Sequence, residues 1–188
     1  MKNLAQSLFS ALAILAGANL LSHSWPAQAQ TMVDAVAEAA AAAEEGEKAL
    51  TLKKEACTLE PIDNCNEAGK MAISGVGGVV DHKYAALAFD KGCAAQDYKA
   101  CTNVAVLKQH GRGVDKDEIS ARQSYAKLCG NHEIQAACHN LAGMMLRGTG
   151  GEQSQLGLFI YRANCAADYP ASCALLKRFL AEQSKISE

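Results

Sequence analysis

No cysteine precedes Cys57, no second apolar run of spanning length follows the first, and no stripe of Lys or Arg lies along the chain. The first absence excludes a lipid-modified N-terminal cysteine. The second leaves no further candidate membrane span. The third leaves nothing for a nucleic acid to hold. Aromatic residues make up only 5% of the chain, so a core has to be built from small side chains. No strand is predicted, and the glycine pairs therefore cannot be phosphate loops opening after one.

What is present begins with an export signature. Lys2 gives a short basic start, an apolar run extends from Leu4 to Leu21, and AQA at 27–29 offers small residues where a signal peptidase reads. This pattern predicts a signal peptide over 1–29, cleaved after Ala29. Gln6, Ser7, Ser10 and Asn19 interrupt the run and make it a poor permanent anchor. The mature chain of about 159 residues suits one domain. It holds 17 basic and 20 acidic residues, because Lys2 is the one charge removed. A secreted or periplasmic protein, free of the membrane after cleavage, is expected.

All eight cysteines lie in the mature part, and behind an export signal they read as four disulfides. They fall in pairs: Cys57 and Cys65, Cys93 and Cys101, Cys129 and Cys138, Cys165 and Cys173. The wide spacing within each pair does not match zinc motifs, so no metal is expected. The first members stand at 57, 93, 129 and 165, a period of 36.

Other columns keep the same register. Gly75, Gly111 and Gly148 align, as do Gly77, Gly113 and Gly150, giving GxG steps that end a helix and turn the chain. Asp81 and Asp117 follow as N-caps. Phe89, Tyr125 and Tyr161 form an aromatic column four residues before a cysteine. Ala68 with Met71, Val104 with Leu107, Leu141 with Met144, and Leu176 with Phe179 each share a helix face. Gly69, Ala105 and Ala142, and on the second helix Ala85, Ala121 and Gly157, let neighbouring helices approach closely. Each unit is thus a pair of antiparallel helices, and stacked pairs make an α-solenoid. Residues 30–57, broken at Gly46, are expected to form capping helices. The repeats occupy 58–180, and 181–188 forms a polar tail.

The segment HGRGVDKDEISARQSYAKLC resembles the Sel1-like repeat, and a cysteine pair in every unit resembles the Helicobacter cysteine-rich proteins. The resemblance covers roughly 57–180 and is best in the middle unit. GGEQSQLG in the third unit lacks the Val and Asp after GxG, and GVGGVVDH in the first carries an additional Gly. It implies an all-α solenoid of disulfide-bridged, tetratricopeptide-related helix–turn–helix repeats. It also brings a link to penicillin binding and β-lactamase activity.

An antiparallel hairpin brings the last turn of one helix beside the first turn of the next, within disulfide reach. Two pairings satisfy this. One joins Cys65 to Cys93, Cys101 to Cys129 and Cys138 to Cys165, and leaves Cys57 and Cys173 over. The sequential one joins each close pair and leaves none, so it is the one expected.

Two kinds of site follow. SYAK, from Ser124 to Lys127, fits the S-x-x-K pattern of serine β-lactamases, but SDN and KTG are absent and both residues occupy ordinary helix columns. His82, His110, His132 and His139 are scattered, without the i, i+4 histidine pair of a zincin, and read as surface or capping residues. No cofactor is implied. A solenoid instead offers a protein or peptide partner the surface of its first helices. Outward-facing candidates there are Asn66, Lys70, Asn103, His110, Asn140 and Arg147. Asn103 and Asn140 share a column, which fits a structural hydrogen bond equally well.

Overall fold

The computed structural model describes residues 27–186, so the signal-peptide reading lies outside them apart from its last three residues. Among the described residues there are eight helices and no strand. These are α1 (Ala27–Leu59), α2 (Pro61–Ser74), α3 (His82–Ala94), α4 (Tyr98–His110), α5 (Glu118–His132), α6 (Gln135–Arg147), α7 (Leu156–Ala166) and α8 (Pro170–Ile186). No described helix is long and apolar enough to cross a membrane. The chain divides into two units after Ala40, and the repeats lie entirely in the second.

Local chemistry sets the helix ends. Asp81 and Asp117 each accept a hydrogen bond from a backbone N–H of the first turn, at 2.9 Å, and Asp97 caps α4 in the same way. Such a cap is worth about 1 kcal/mol. Gly75, Gly111 and Gly148 close α2, α4 and α6 in the left-handed region. The second glycine of each step serves a different need, because it lies directly on the preceding second helix. A Cβ on Gly113 would collide with the carbonyl oxygen of His82, and one on Gly150 with that of Glu118. The third loop, without its Asp, starts α7 on Gln155 with no side-chain cap and leaves that helix at 11 residues.

Aromatic-on-small contacts join the helices of a unit. Phe89 is fully buried with its ring over Gly69, where a Cβ would stand 2.5 Å from Cε1. Tyr125 is equally buried beside Ala105 and Ala121. Around Phe89 the core consists of Ala72, Ala85, Ala86, Ala100, Val104 and Leu107. With so many alanines, apolar burial per residue is modest.

The disulfides supply the rest. Cys57–Cys65, Cys93–Cys101, Cys129–Cys138 and Cys165–Cys173 are all closed, with Cα separations of 4.5–4.7 Å and no free cysteine. The pairing is the sequential one. Each bridge spans the turn between a second helix and the following first helix. The chain makes three of these turns by placing Gln96, Glu133 and Asp168 in the left-handed region, at φ of 68°, 52° and 59°.

One expectation about the ends needs correction. Residues 30–57 are not a broken pair of helices, since α1 runs unbroken through Gly46. That glycine marks close approach: a Cβ there would lie 3.0 Å from the backbone nitrogen of Gly77. Its helix penalty of about 1 kcal/mol is spread among strong helix formers. The polar tail is helical as far as Ile186.

Candidate functional site

Asn66, expected to face a partner, is held within the stack, and Asn103 and Asn140 make the structural hydrogen bonds that their shared column fits equally well. Asn66 is buried, and Asn103 donates from Nδ2 to its Oδ1 at 2.8 Å, tying α2 to α4. Asn66 is therefore not outward-facing; its neighbouring unit occupies the space. Asn140 bonds the Tyr125 hydroxyl, which itself donates to Gln109 Oε1 at 3.2 Å. Burial drives the Tyr125 pKa far up, against the smaller opposing effect of Asn140. Of the six candidates, Lys70, His110 and Arg147 remain exposed. Lys70 is paired with Glu67 at 2.9 Å, and Arg147 partly offsets the burial that raises the Tyr161 pKa.

His139 and Ser172 have the separation of a nucleophile–base pair, with Nδ1 and Oγ 2.9 Å apart. Ser172 is fully buried, however, and Asn164 donates to its Oγ at 2.9 Å while also donating to the Gln135 carbonyl. With no solvent to meet, the Ser172 hydroxyl donates to His139 Nδ1, which fixes the neutral ring with hydrogen on Nε2. Burial lowers the His139 pKa, in keeping with a neutral ring. Tyr161 and Tyr169 pack against the ring at 5.2 and 5.7 Å. No substrate can reach this serine, and the cluster is a polar joint between α6, α7 and α8.

An open surface lies between the successive second helices α3 and α5. A hollow of about 490 Å³ is walled by α3, α4 and α5, and one of about 380 Å³ adjoins it toward the Gly113–Val114 loop. Asp90, Val104 and Lys108 line both, which makes them one groove. Its floor is apolar, from Leu87, Val104, Val114 and Leu128, and Leu87 is 71% exposed. Stacked rings of Tyr98 and His132, 3.9 Å apart, close one end. Lys83, Lys108 and Lys127 stand around the groove with the carboxylate of Asp90, and Asp115 shares an adjoining hollow with Lys83. Among the described residues these three lysines have no ion pair, whereas Lys70 and Lys116 do.

Ser124 and Lys127 both line this groove. Ser124 Oγ donates to the Ser120 carbonyl at 2.8 Å, so its proton is held by its own helix. Among the described residues no group of three or more His, Cys, Asp or Glu could hold a metal ion. The groove escaped sequence reasoning because its lysines come from α3, α4 and α5 at unrelated repeat positions. Only the mismatch of Leu87, an apolar residue on a polar face, hinted at it.

A stack of antiparallel helix pairs with a constant crossover is the architecture of tetratricopeptide-like solenoids. Within that class the solved structures narrow the fold to the Sel1 repeat. No family model and no curated protein matches the chain. Among solved structures, it is similar to c5321, a protective antigen of uropathogenic Escherichia coli displaying an SLR fold (TM-score 0.62, 22% identity, 69% of this chain and 28% of that one). It is similar to a Sel1 repeat protein from Oxalobacter formigenes (TM-score 0.56, 19% identity, 73% and 59%). The third neighbour is Helicobacter pylori cysteine rich protein B (TM-score 0.53, 21% identity, 71% and 96%). The chain thus spans less than two thirds of the first two neighbours. The fold is a disulfide-bridged Sel1-repeat α-solenoid.

Proposed function

We propose that this protein is a secreted or periplasmic scaffold that binds an extended acidic segment of a partner protein in the groove between α3 and α5. Three unpaired lysines around an apolar floor, on a chain of net charge −2, carry the reading. An aliphatic side chain of the partner fits the hollow at Leu87, and carboxylates before and after it meet Lys83, Lys108 and Lys127. Four disulfides suit an oxidising compartment. They also preorganise the groove, so little entropy is lost on binding.

Fluorescence anisotropy with a library of acidic peptides, against the same peptides with Glu replaced by Gln, tests this. Acidic peptides should bind, and Lys108→Glu should weaken them roughly five- to tenfold at low salt, less as salt screens the pairs. Equal binding of both libraries, or indifference to Lys108→Glu, would refute it. A second reading, β-lactam hydrolysis by Ser124 with Lys127, rests on both side chains lining the same groove. Nitrocefin turnover that disappears in Ser124→Ala would put that reading first.

A further inference from the structure

The repeat register reaches both outer helices of the stack. Gly77, Gly113 and Gly150 contact Gly46, His82 and Glu118 in turn, so α1 from Gly46 to Cys57 stands where α3 and α5 stand in later units. It is a second helix, and α8, following Cys165–Cys173, is a first helix. The positions that the other half of each unit would cover are exposed in these two helices. Ala49 is exposed where Ala85 and Ala121 are fully buried, and Leu52 is 57% exposed where Ala88 is 3%. On α8, Leu180 is 47% exposed where Ala72 is 1%.

One column departs on each face, and it is the same contact. Inside the stack, an aromatic residue of the second helix lies on a small residue of the first, as Phe89 lies on Gly69. Lys53 holds the aromatic column in α1, and Lys177 holds the small-residue column in α8. Lys53 is held in place by Asn64, whose Oδ1 accepts from its Nζ at 3.2 Å. Lys177 is exposed.

We infer that α8 of one copy and the Gly46–Cys57 part of α1 of a second copy are matching halves of one repeat, kept apart by Lys53 and Lys177. Docking the two ends would place both ammonium groups where a ring and a glycine normally touch. Like charges at that range, partly desolvated, weaken association on the order of tenfold or more. A heterologous contact of this kind does not close on itself, and without the lysines it would propagate into a fibre. The lysines therefore oppose the pairing of these two faces.

A charge swap followed by sedimentation velocity tests this on the oxidised full chain. Lys53→Glu should self-associate with a sedimentation coefficient that rises with concentration, because the introduced carboxylate then meets Lys177. Adding Lys177→Glu should restore the wild-type profile. Lys53→Phe with Lys177→Ala, which rebuilds the internal contact, should associate most strongly. Circular dichroism and a thiol assay confirm that each variant is folded and bridged. If both Lys53→Glu and the Phe/Ala variant sediment as wild type at every concentration, the inference is overturned. It is also overturned if the double Glu variant associates as strongly as the single one, or if the wild type associates as they do.

Discussion

Removing Cys93–Cys101 and, separately, Cys165–Cys173 distinguishes a cooperative stack from a string of independent hairpins. Both bridges close loops of the same sequence separation, eight residues. Chain entropy therefore assigns them the same value, about 2.5 kcal/mol each. The structure makes them unequal. Cys93–Cys101 joins α3 to α4, the helices that bring Phe89 together with Ala100, Val104 and Leu107, so its loss acts on contacts shared by two units. Cys165–Cys173 holds α8, which among the described residues packs on one side only, against α6 and α7. In a quasi-one-dimensional protein an end unit frays without taking the rest with it. Paired Cys→Ala variants in urea, followed by far-ultraviolet circular dichroism, should differ in kind. The inner variant should lose about 2–3 kcal/mol from the main transition and drop in Tm by roughly 5–10 °C. The outer variant should keep the main transition within about 0.5 kcal/mol and acquire a separate early phase. Equal losses from the main transition would mean that α8 is as integral to the core as α4, and would refute the inequality drawn from packing.

Other outcomes follow from single contacts. Gly69→Ala drives a methyl into the Phe89 ring and should cost about 1–3 kcal/mol, with Phe89→Leu in the same chain recovering part of it. Asn103→Ala leaves buried Asn66 without its partner and should lower stability by about 1–3 kcal/mol, whereas Lys70→Ala should change it by less than about 0.5. The His139 ring is held neutral, with its folded pKa below the unfolded value near 6.5. The unfolded chain takes up the proton first, so stability is intact above that pH and declines as pH falls through the folded pKa. Urea midpoints compared between pH 7.5 and 5.0 should drop more for wild type than for His139→Gln.

The sequence displayed its repeat because the repeat is written in residue types with few substitutes: cysteine pairs, left-handed glycines, capping aspartates, and a ring opposite a glycine. Those columns specify helix ends and contacts within a unit. The asparagines were harder. A polar residue on a first helix looks the same whether it meets a partner or the next unit. Only the spacing of adjacent units shows that Asn66 ends buried against Asn103. The turns at Gln96, Glu133 and Asp168 were invisible for a different reason. A left-handed residue is usually announced by glycine, and here the chain adopts that conformation with ordinary side chains. Gly46 misled in the opposite direction, signalling a break where the helix continues past a neighbouring loop. The groove is a property of the stacking itself, and no single unit contains it.

The bridges also differ in how a thiol reaches them. Cys65 is fully buried and Cys57 nearly so, while the cysteines of the other three pairs are half-buried. Cys93 and Cys101 line the larger hollow, and Cys129 and Cys138 line its counterpart one unit along. Thiol exchange depends on access as well as on driving force. A small reductant therefore meets these bridges before Cys57–Cys65, and it meets Cys93–Cys101 by entering the space a bound segment would fill. A segment bound in the groove would then lengthen the lifetime of the bond beneath it.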